Sequence, residues 1–280
     1  MMRETWRVEV WGVRGSIPVP EADHLEYGGN TSCISAELGE ELLIFDAGSG
    51  LAKLGARLRQ QGRKRADLLL GHLHIDHLIG LFGFPLLFDP QAEVHLYGRT
   101  WDESSLSERL EGLVGRPYWP LSLKDFPAHV EVHEIEEERA FRLAGREAAP
   151  EGIVISAIEG AHPGKSLLYR VEAEGRSIVH ALDCETDDVM FEKLKEHCQG
   201  AELLIWDASF SEDDRFAHPG WGHSSWVQGA ALQKAAGVKK VLMTHYAWDY
   251  TDQFLREQER LACRTDSRIQ FAREGMVIGL

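Results

Sequence analysis

The chain has 280 residues, with 45 Asp and Glu against 30 Lys and Arg, and a formal net charge of −15. That length suits one large domain or two halves sharing a core. The acidic balance argues against a grip on long nucleic acid, which relies on clustered Lys and Arg. The longest apolar run, Leu78–Phe88, carries Pro85 and falls well short of the roughly 18–20 residues that cross a bilayer. Met1–Trp6 lacks the apolar stretch of a secretory signal. Cys33, Cys184, Cys198 and Cys263 are widely spaced, with no zinc-knuckle or redox pair among them. Free thiols of this kind fit a reducing compartment, so a cytoplasmic protein without membrane contact is expected.

In chain order, Arg7–Trp11 and Ile34–Leu38 alternate in polarity, and Glu41–Asp46 reads as a buried strand. Leu51–Gln61 has apolar residues at helical spacing and closes at Gly62. Ala66–Leu70 is a short buried strand that runs straight into Gly71-His72-Leu73-His74-Ile75-Asp76-His77. Thr100–Phe126 fits poorly; it holds a predicted helix, Ser105–Leu113, and then Arg116-Pro117-Tyr118-Trp119-Pro120, as an insertion bordering the site would. The second half repeats the grammar of the first. Ser166–Val171 and Ser177–Leu182 form a hairpin around Glu174-Gly175, followed by a helix at Thr186–His197 and a strand at Glu202–Trp206. A helix at Ser224–Ala236 and a strand at Lys239–Thr244 complete it. Both halves place a polar, His-bearing loop after an apolar strand. This predicts two sheets packed face to face, helices outside, and chemistry at one edge.

His72, His74, Asp76 and His77 carry most of the information. Positions two apart in an extended loop project to one side, so His72 and His74 reach one ion while Asp76 and His77 reach a second. Imidazole and carboxylate donors suit zinc and neighbouring transition metals. Four ligands cannot complete two sites. Further candidates follow strands: His162 in His162-Pro163-Gly164, Asp183 after Ser177–Leu182, and His245 after Lys239–Thr244, each of which also has an ordinary structural reading. A carboxylate between two ions offsets charge and fixes their separation at roughly 3.5–4 Å. His24, His95, His129, His133, His180, His197 and His218 take structural or solvent readings. Asp46 reads either as a group orienting a ligand histidine or as a strand-end turn.

The order HxHxDH, then His, Asp and His at strand ends, resembles the metallo-β-lactamase fold superfamily over nearly the whole chain. Within it, the sequence is similar to the branch holding the tRNA 3′-processing endonuclease RNase Z and the cyclic-nucleotide and phosphoribosyl cyclic-phosphate phosphodiesterases. Gly12-Val-Arg-Gly-Ser-Ile-Pro18, Tyr27-Gly-Gly-Asn-Thr-Ser-Cys33 and Phe45-Asp-Ala-Gly-Ser-Gly50 resemble that branch's N-terminal signature. His162-Pro-Gly through Leu168-Tyr-Arg170, Leu182-Asp-Cys-Glu185, Gly222-His-Ser224 and Met243-Thr-His245 resemble its later motifs.

The resemblance implies an α/β protein: an αββα sandwich of two packed mixed sheets with helices outside. It implies one hydrolase domain over 1–280 with an insertion near 100–126. It also implies two divalent ions per chain, zinc ahead of manganese or iron. His72, His74 and His162 would hold one ion, Asp76, His77 and His245 the other, with Asp183 bridging. His223 would be the general acid, held by Asp207 in Leu204-Ile-Trp-Asp-Ala-Ser209, where RNase Z carries glutamate; Asp76 also counts as catalytic. A carboxylate-oriented imidazole donates a proton near neutral pH, although a helix-capping or core role for His223 and a turn role for Asp207 stand beside this.

On the substrate side, Arg14, Asn30 and Thr31 are candidate phosphate contacts, or parts of a tight turn at Gly28-Gly29. Trp119, Trp221, Tyr246 and Trp248 either stack on a base or pack. Thr100–Phe126 and Leu78–Phe88 are expected to narrow the cleft, or else to form core or dimer contacts. Together these features predict a dinuclear hydrolase of small anionic phosphodiesters, in which a hydroxide shared by two ions attacks phosphorus. Precursor-tRNA processing and thiolester or lactam hydrolysis are the alternatives. The partner is then a small phosphodiester, not long nucleic acid, with monomer and homodimer both open.

Overall fold

The computed structural model describes residues 6–146 and 152–280; Met1–Thr5, part of the segment read for a secretory signal, lies outside them. The first half contributes β1 (Arg7–Gly12), β2 (Cys33–Leu38), β3 (Glu41–Phe45), helix α1 (Leu51–Gln60), β4 (Arg65–Leu69), β5 (Glu93–Gly98), α2 (Leu106–Leu113) and β6 (His129–Glu134). The second half contributes β7 (Val154–Gly160), β8 (Ser166–Ala173), β9 (Arg176–Ala181), α3 (Asp188–His197), β10 (Leu203–Asp207), α4 (Glu212–Ala217), α5 (Trp226–Ala236), β11 (Lys240–Thr244), α6 (Asp252–Thr265), β12 (Ile269–Phe271) and β13 (Val277–Gly279). They form two mixed sheets, β13-β1-β2-β3-β4-β5-β6 and β12-β11-β10-β9-β8-β7.

The inner faces of both sheets meet in one core, where Val8, Ile34, Phe45 and Tyr97 join Tyr169, Ile178, Ile205 and Leu242. A second cluster lies on the outer face of the first sheet, under α1 and α2. The two-sheet sandwich with outer helices is the architecture expected. The helices start where their caps allow. Asp187 and Ser225 accept hydrogen bonds from Met190 N and Gln228 N, so α3 and α5 begin two residues later than the spacing predicts.

One expectation is corrected here. Leu78–Phe88 does not narrow a cleft. Leu78, Leu81, Phe84, Leu86 and Leu87 are buried in two short 3₁₀ turns of the outer cluster, with Phe84 and Pro85 lying against α1 at Gly55. Thr100–Phe126 is the crossover joining β5 to β6, which pair in parallel from Glu93↔His129 to Gly98↔Glu134. A parallel pair requires such a connection.

In the first sheet β3 and β4 run parallel, and in the second β9, β10 and β11 do. Strand C-termini therefore collect along one edge of the sandwich, where backbone groups leave the sheet ladder and loops carry the chemistry. No helix among the described residues is long and apolar enough to cross a membrane.

Candidate metal centre

Every predicted ligand follows a strand that ends at this edge. Asp46 follows β3, His72 to His77 follow β4, His162 follows β7, Asp183 follows β9, and His245 follows β11. Asp46, Asp183 and His245 sit at φ of 61°, 56° and 61°, a left-handed conformation uncommon outside glycine and concentrated at functional sites. It turns each side chain out of the sheet ladder and into the space between the sheets' ends.

The donor atoms converge in two groups. In one, Asp76 Oδ2 is 3.3 Å from His77 Nε2 and 3.4 Å from His245 Nε2, and the two Nε2 atoms are 3.1 Å apart. Asp183 Oδ2 faces His77 Nε2 at 3.1 Å and His245 Nε2 at 3.4 Å. Ligands about 2.0–2.1 Å from a tetrahedral ion lie about 3.3 Å from one another, so this spacing matches a metal's coordination shell. In the other group His74 Nδ1 is 3.1 Å from His162 Nε2. Asp183 Oδ1 lies 3.9 Å from His72 Nε2 and 3.8 Å from His162 Nε2. Asp183 thus turns one oxygen to each group.

The outer ring nitrogens settle what these atoms are. His77 Nδ1 lies 2.8 Å from Asp46 Oδ2 as an ion-pair contact, and Asp46 Oδ1 accepts from Gly71 N–H at 2.7 Å. His162 Nδ1 donates to Gly222 O at 3.0 Å; His245 Nδ1 donates to Ser209 Oγ at 2.8 Å, whose hydroxyl donates to His245 O at 2.6 Å. With the Nδ1 of His162 and His245 committed to oxygen acceptors and that of His77 facing a carboxylate, the three Nε2 atoms point at one another and at carboxylates, an arrangement that needs a positive charge between them. Both nitrogens of His72 and Oδ2 of Asp183 are buried without a hydrogen-bond partner. All ion pairs of Asp46, Asp76, Asp183 and Asp207 among the described residues are with histidines. Buried carboxylates without Lys or Arg are costly unless cations compensate them. Burial works against a charged His77, yet Asp46, Asp183 and Asp76 hold its pKa well above the ordinary value. The spot favours a cation, and the residues fit divalent metal ions.

His223 stands beside this cluster. Its Nδ1 donates to Asp207 Oδ2 at 2.9 Å, and Asp207, fully buried, also accepts from Asp183 N–H at 3.0 Å and Ser209 N–H at 2.9 Å. Burial opposes protonation of His223, but Asp207, by charge and hydrogen bond, pushes its pKa up to about 9. The loop that carries it is anchored by Glu185, which accepts from Gly220 N–H at 2.8 Å and Gly222 N–H at 3.1 Å. Gly222, at φ 82°, packs so closely that a Cβ would lie 2.2 Å from His162 Nδ1.

A cleft of 270 Å³ opens over His223 and His245, walled by Phe210, His218, Trp221, Trp248 and Tyr250. A second cavity beside His72 and His74 is lined by Thr100, Trp101, Asp102 and Arg109, the one part of Thr100–Phe126 that borders the cluster. Trp221 and Trp248 are 59% and 51% exposed at the cleft. Trp119 instead stacks on Phe82, and Tyr246 is fully buried with its hydroxyl on Met243 O. Arg14, Asn30 and Thr31 do not face the cleft. The Arg14 guanidinium donates to Gly28 O, Ala247 O and Tyr250 O. Asn30 bonds Glu274 and Ser49, and Thr31 Oγ1 accepts from Ser49 N–H. These residues tie the N-terminal loops to the 246–250 loop. Sequence reasoning missed Ser209 and gave His218 an ordinary role; only their place between Asp207 and His223 signalled either.

Residues 42–246 match the family model described as the Beta-lactamase superfamily domain. Ribonuclease Z of Archaeoglobus fulgidus is 24% identical over 288 residues, which cover 88% of this chain and 89% of that protein. The metallo-beta-lactamase fold protein YhfI from Bacillus subtilis superposes with a TM-score of 0.73 at 21% identity, covering 99% of this chain and 100% of that one. A diphosphatase from the PhnP family gives a TM-score of 0.68 at 20% identity over 98% of this chain and 97% of its own. Family model, fold and a His/Asp cluster at the sheet edge agree: the chain belongs to the metallo-β-lactamase fold superfamily and is a metal-dependent hydrolase.

Proposed function

We propose that this hydrolase, acting as one domain over 1–280, cleaves small phosphodiesters. Cyclic nucleotides or phosphoribosyl cyclic phosphate are the foremost candidates. His72, His74 and His162 would hold one divalent ion and Asp76, His77 and His245 the other, with Asp183 between them; the N/O donor set favours zinc and accommodates manganese or iron. Bound there, such ions supply Lewis-acid polarisation of a phosphoryl group and activate water for attack in line with the leaving oxygen. His223 holds the transferable proton at Nε2, because Nδ1 is committed to Asp207. Asp207 in turn is fixed by two backbone N–H groups. An imidazolium so held protonates an expelled ribose alkoxide.

The single observation that carries this reading is the His223–Asp207 pair beside the cluster. Hydrolysis of thiolesters, whose thiolate leaves without an acid, gives it no comparable task. The 270 Å³ cleft and its exposed indoles suit a ligand of nucleotide size, and the charge of −15 disfavours a long polyanion. A second reading, precursor-tRNA processing, is supported by the similarity to Ribonuclease Z.

The deciding experiment assays 3′,5′- and 2′,3′-cyclic nucleotides, phosphoribosyl cyclic phosphate, bis(p-nitrophenyl) phosphate and a precursor tRNA with zinc, manganese and iron. Turnover of a cyclic phosphate is expected. Efficient tRNA cleavage at physiological salt, with every small diester inert, would overturn the small-substrate reading.

A further inference from the structure

Away from the cleft, β5 and β6 bring a second set of donors together. His95 pairs with Glu131 and Tyr97 with His133 in the parallel ladder, so alternation places all four side chains on one face. His95 Nδ1 lies 3.0 Å from His133 Nε2 and 3.5 Å from Glu131 Oε2, and His133 Nε2 lies 3.6 Å from the same oxygen. These edges bracket the separation of about 3.3 Å between ligands of a tetrahedral ion. We infer that His95, Glu131 and His133 form a further binding site for a zinc-class divalent ion, independent of the cleft and of any reading of its chemistry.

Several features prepare the site. The imidazoles are fixed by packing: His133 stacks on Tyr97 at 4.6 Å between centroids and on His95 at 5.2 Å. His95 is 4% exposed. His129 Nε2 lies 2.7 Å from Glu131 Oε1, which leaves Oε2 turned to the two imidazoles. Glu93 adds a carboxylate 4.0 Å from His95 Nε2, and Asp67 already neutralises Arg65 through two hydrogen bonds of 2.8 Å. The Glu131 side chain is 43% exposed, so ions have access and the fourth position is open to water. Two imidazoles and one carboxylate suit zinc and the later first-row dications rather than calcium or magnesium. The bound ion would pin β6, the edge strand of the first sheet, to β5.

The test is metal stoichiometry. Zinc-reconstituted, desalted wild-type protein should carry one equivalent more than His133→Gln, a variant at a partly exposed position. A cleft-blank variant, His72→Ala with His77→Ala and Asp183→Ala, should retain one equivalent, and adding His133→Gln should abolish it. In the cleft-blank protein, cobalt should give the intense visible absorption of a tetrahedral ion, lost in Glu131→Gln. Equal zinc content in wild type and His133→Gln would overturn the inference and leave a plain His95–His133 hydrogen bond. That comparison needs no cleft variant, so a cleft-blank protein that failed to fold would not blunt it.

Discussion

His223 has no free choice of which nitrogen transfers a proton, since Asp207 occupies Nδ1. If it is the acid, its value scales with the basicity of the leaving group. His223→Ala should keep the cleft ions yet slow a ribose-alkoxide substrate by roughly 10²–10⁴-fold, with p-nitrophenolate release slowed far less. Asp207→Asn should show the same selectivity in milder form. Equal losses on both substrates, or loss of metal, would return His223 to structure. A second residue-scale outcome concerns Gly15, where a Cβ would meet His245 Cε1 at 2.6 Å and Nδ1 at 2.9 Å. Gly15→Ala should push the imidazole away from Asp76 and weaken zinc binding by at least about tenfold, as losses around metal ligands do, with little change in fold by circular dichroism. Unchanged zinc affinity would mean that His245 is not a ligand. The cluster was legible because seven His and Asp residues, which the fold brings together at one edge, stand after apolar strands in a fixed order. Arg14 was not legible: arginine in a glycine-rich loop looks like a phosphate contact, and only the fold reveals backbone carbonyls of Gly28, Ala247 and Tyr250 claiming its guanidinium. Ser209 was equally silent, because its hydroxyl acts through His223 and through His245, 36 residues away.

At the scale of elements, segments with a clean period were legible to within two residues: β3, α1, β4, β8, β9 and β11. Strands β5 and β6 carry Glu and His among their apolar residues, and β12 and β13 have three residues each; such stretches lack the signal that separates a strand from a loop. What makes them strands is a neighbour to pair with. Helix α3 shows a different tension. Its last residue, His197, is the sort of group a helix C-terminus favours when charged, yet its Nε2 is buried without a partner. Burial, followed by the nearby Arg170 charge, lowers its pKa to about 4. The sign follows from the unfolded value near 6.5. Above that pH neither state is protonated; below it the unfolded chain takes up a proton that the folded one refuses, so stability falls as pH drops from about 6.5 through 4. The loss should reach on the order of 2 kcal/mol near pH 4.5, or roughly 4–8 °C in Tm. His197→Leu should shallow the acid decline of Tm by that amount. Parallel Tm profiles for wild type and variant between pH 7 and 4.5 would show that His197 titrates normally.

Across the whole molecule, the cluster joins the two sheets: His72 to His77 leave the first, while His162, Asp183 and His245 leave the second. Ions held there would clip the sandwich at its open edge, and anything that binds only the folded state stabilises it, by about 2.7 kcal/mol at a hundredfold excess over Kd. Chelation should therefore lower Tm by roughly 5–10 °C. Other proteins lose Tm on chelation too, so the pH dependence is the sharper measurement. Stripped of metal, the buried carboxylates depend on protonated His77 and His245, whose pKa values are raised chiefly, against burial, by Asp46 and Asp183 respectively. A raised folded pKa gives stability that is fully present below the unfolded value near 6.5 and lost as pH climbs through the folded value. Metal binding runs the other way, tightening as the same imidazoles lose their protons. The Tm gap between zinc-loaded and chelated protein should thus widen steadily from pH 6 to 8.5. Measured in His133→Gln, so that only the cleft contributes, a gap that stays constant or shrinks over that range would mean that the cluster is held by its own protons and not by metal.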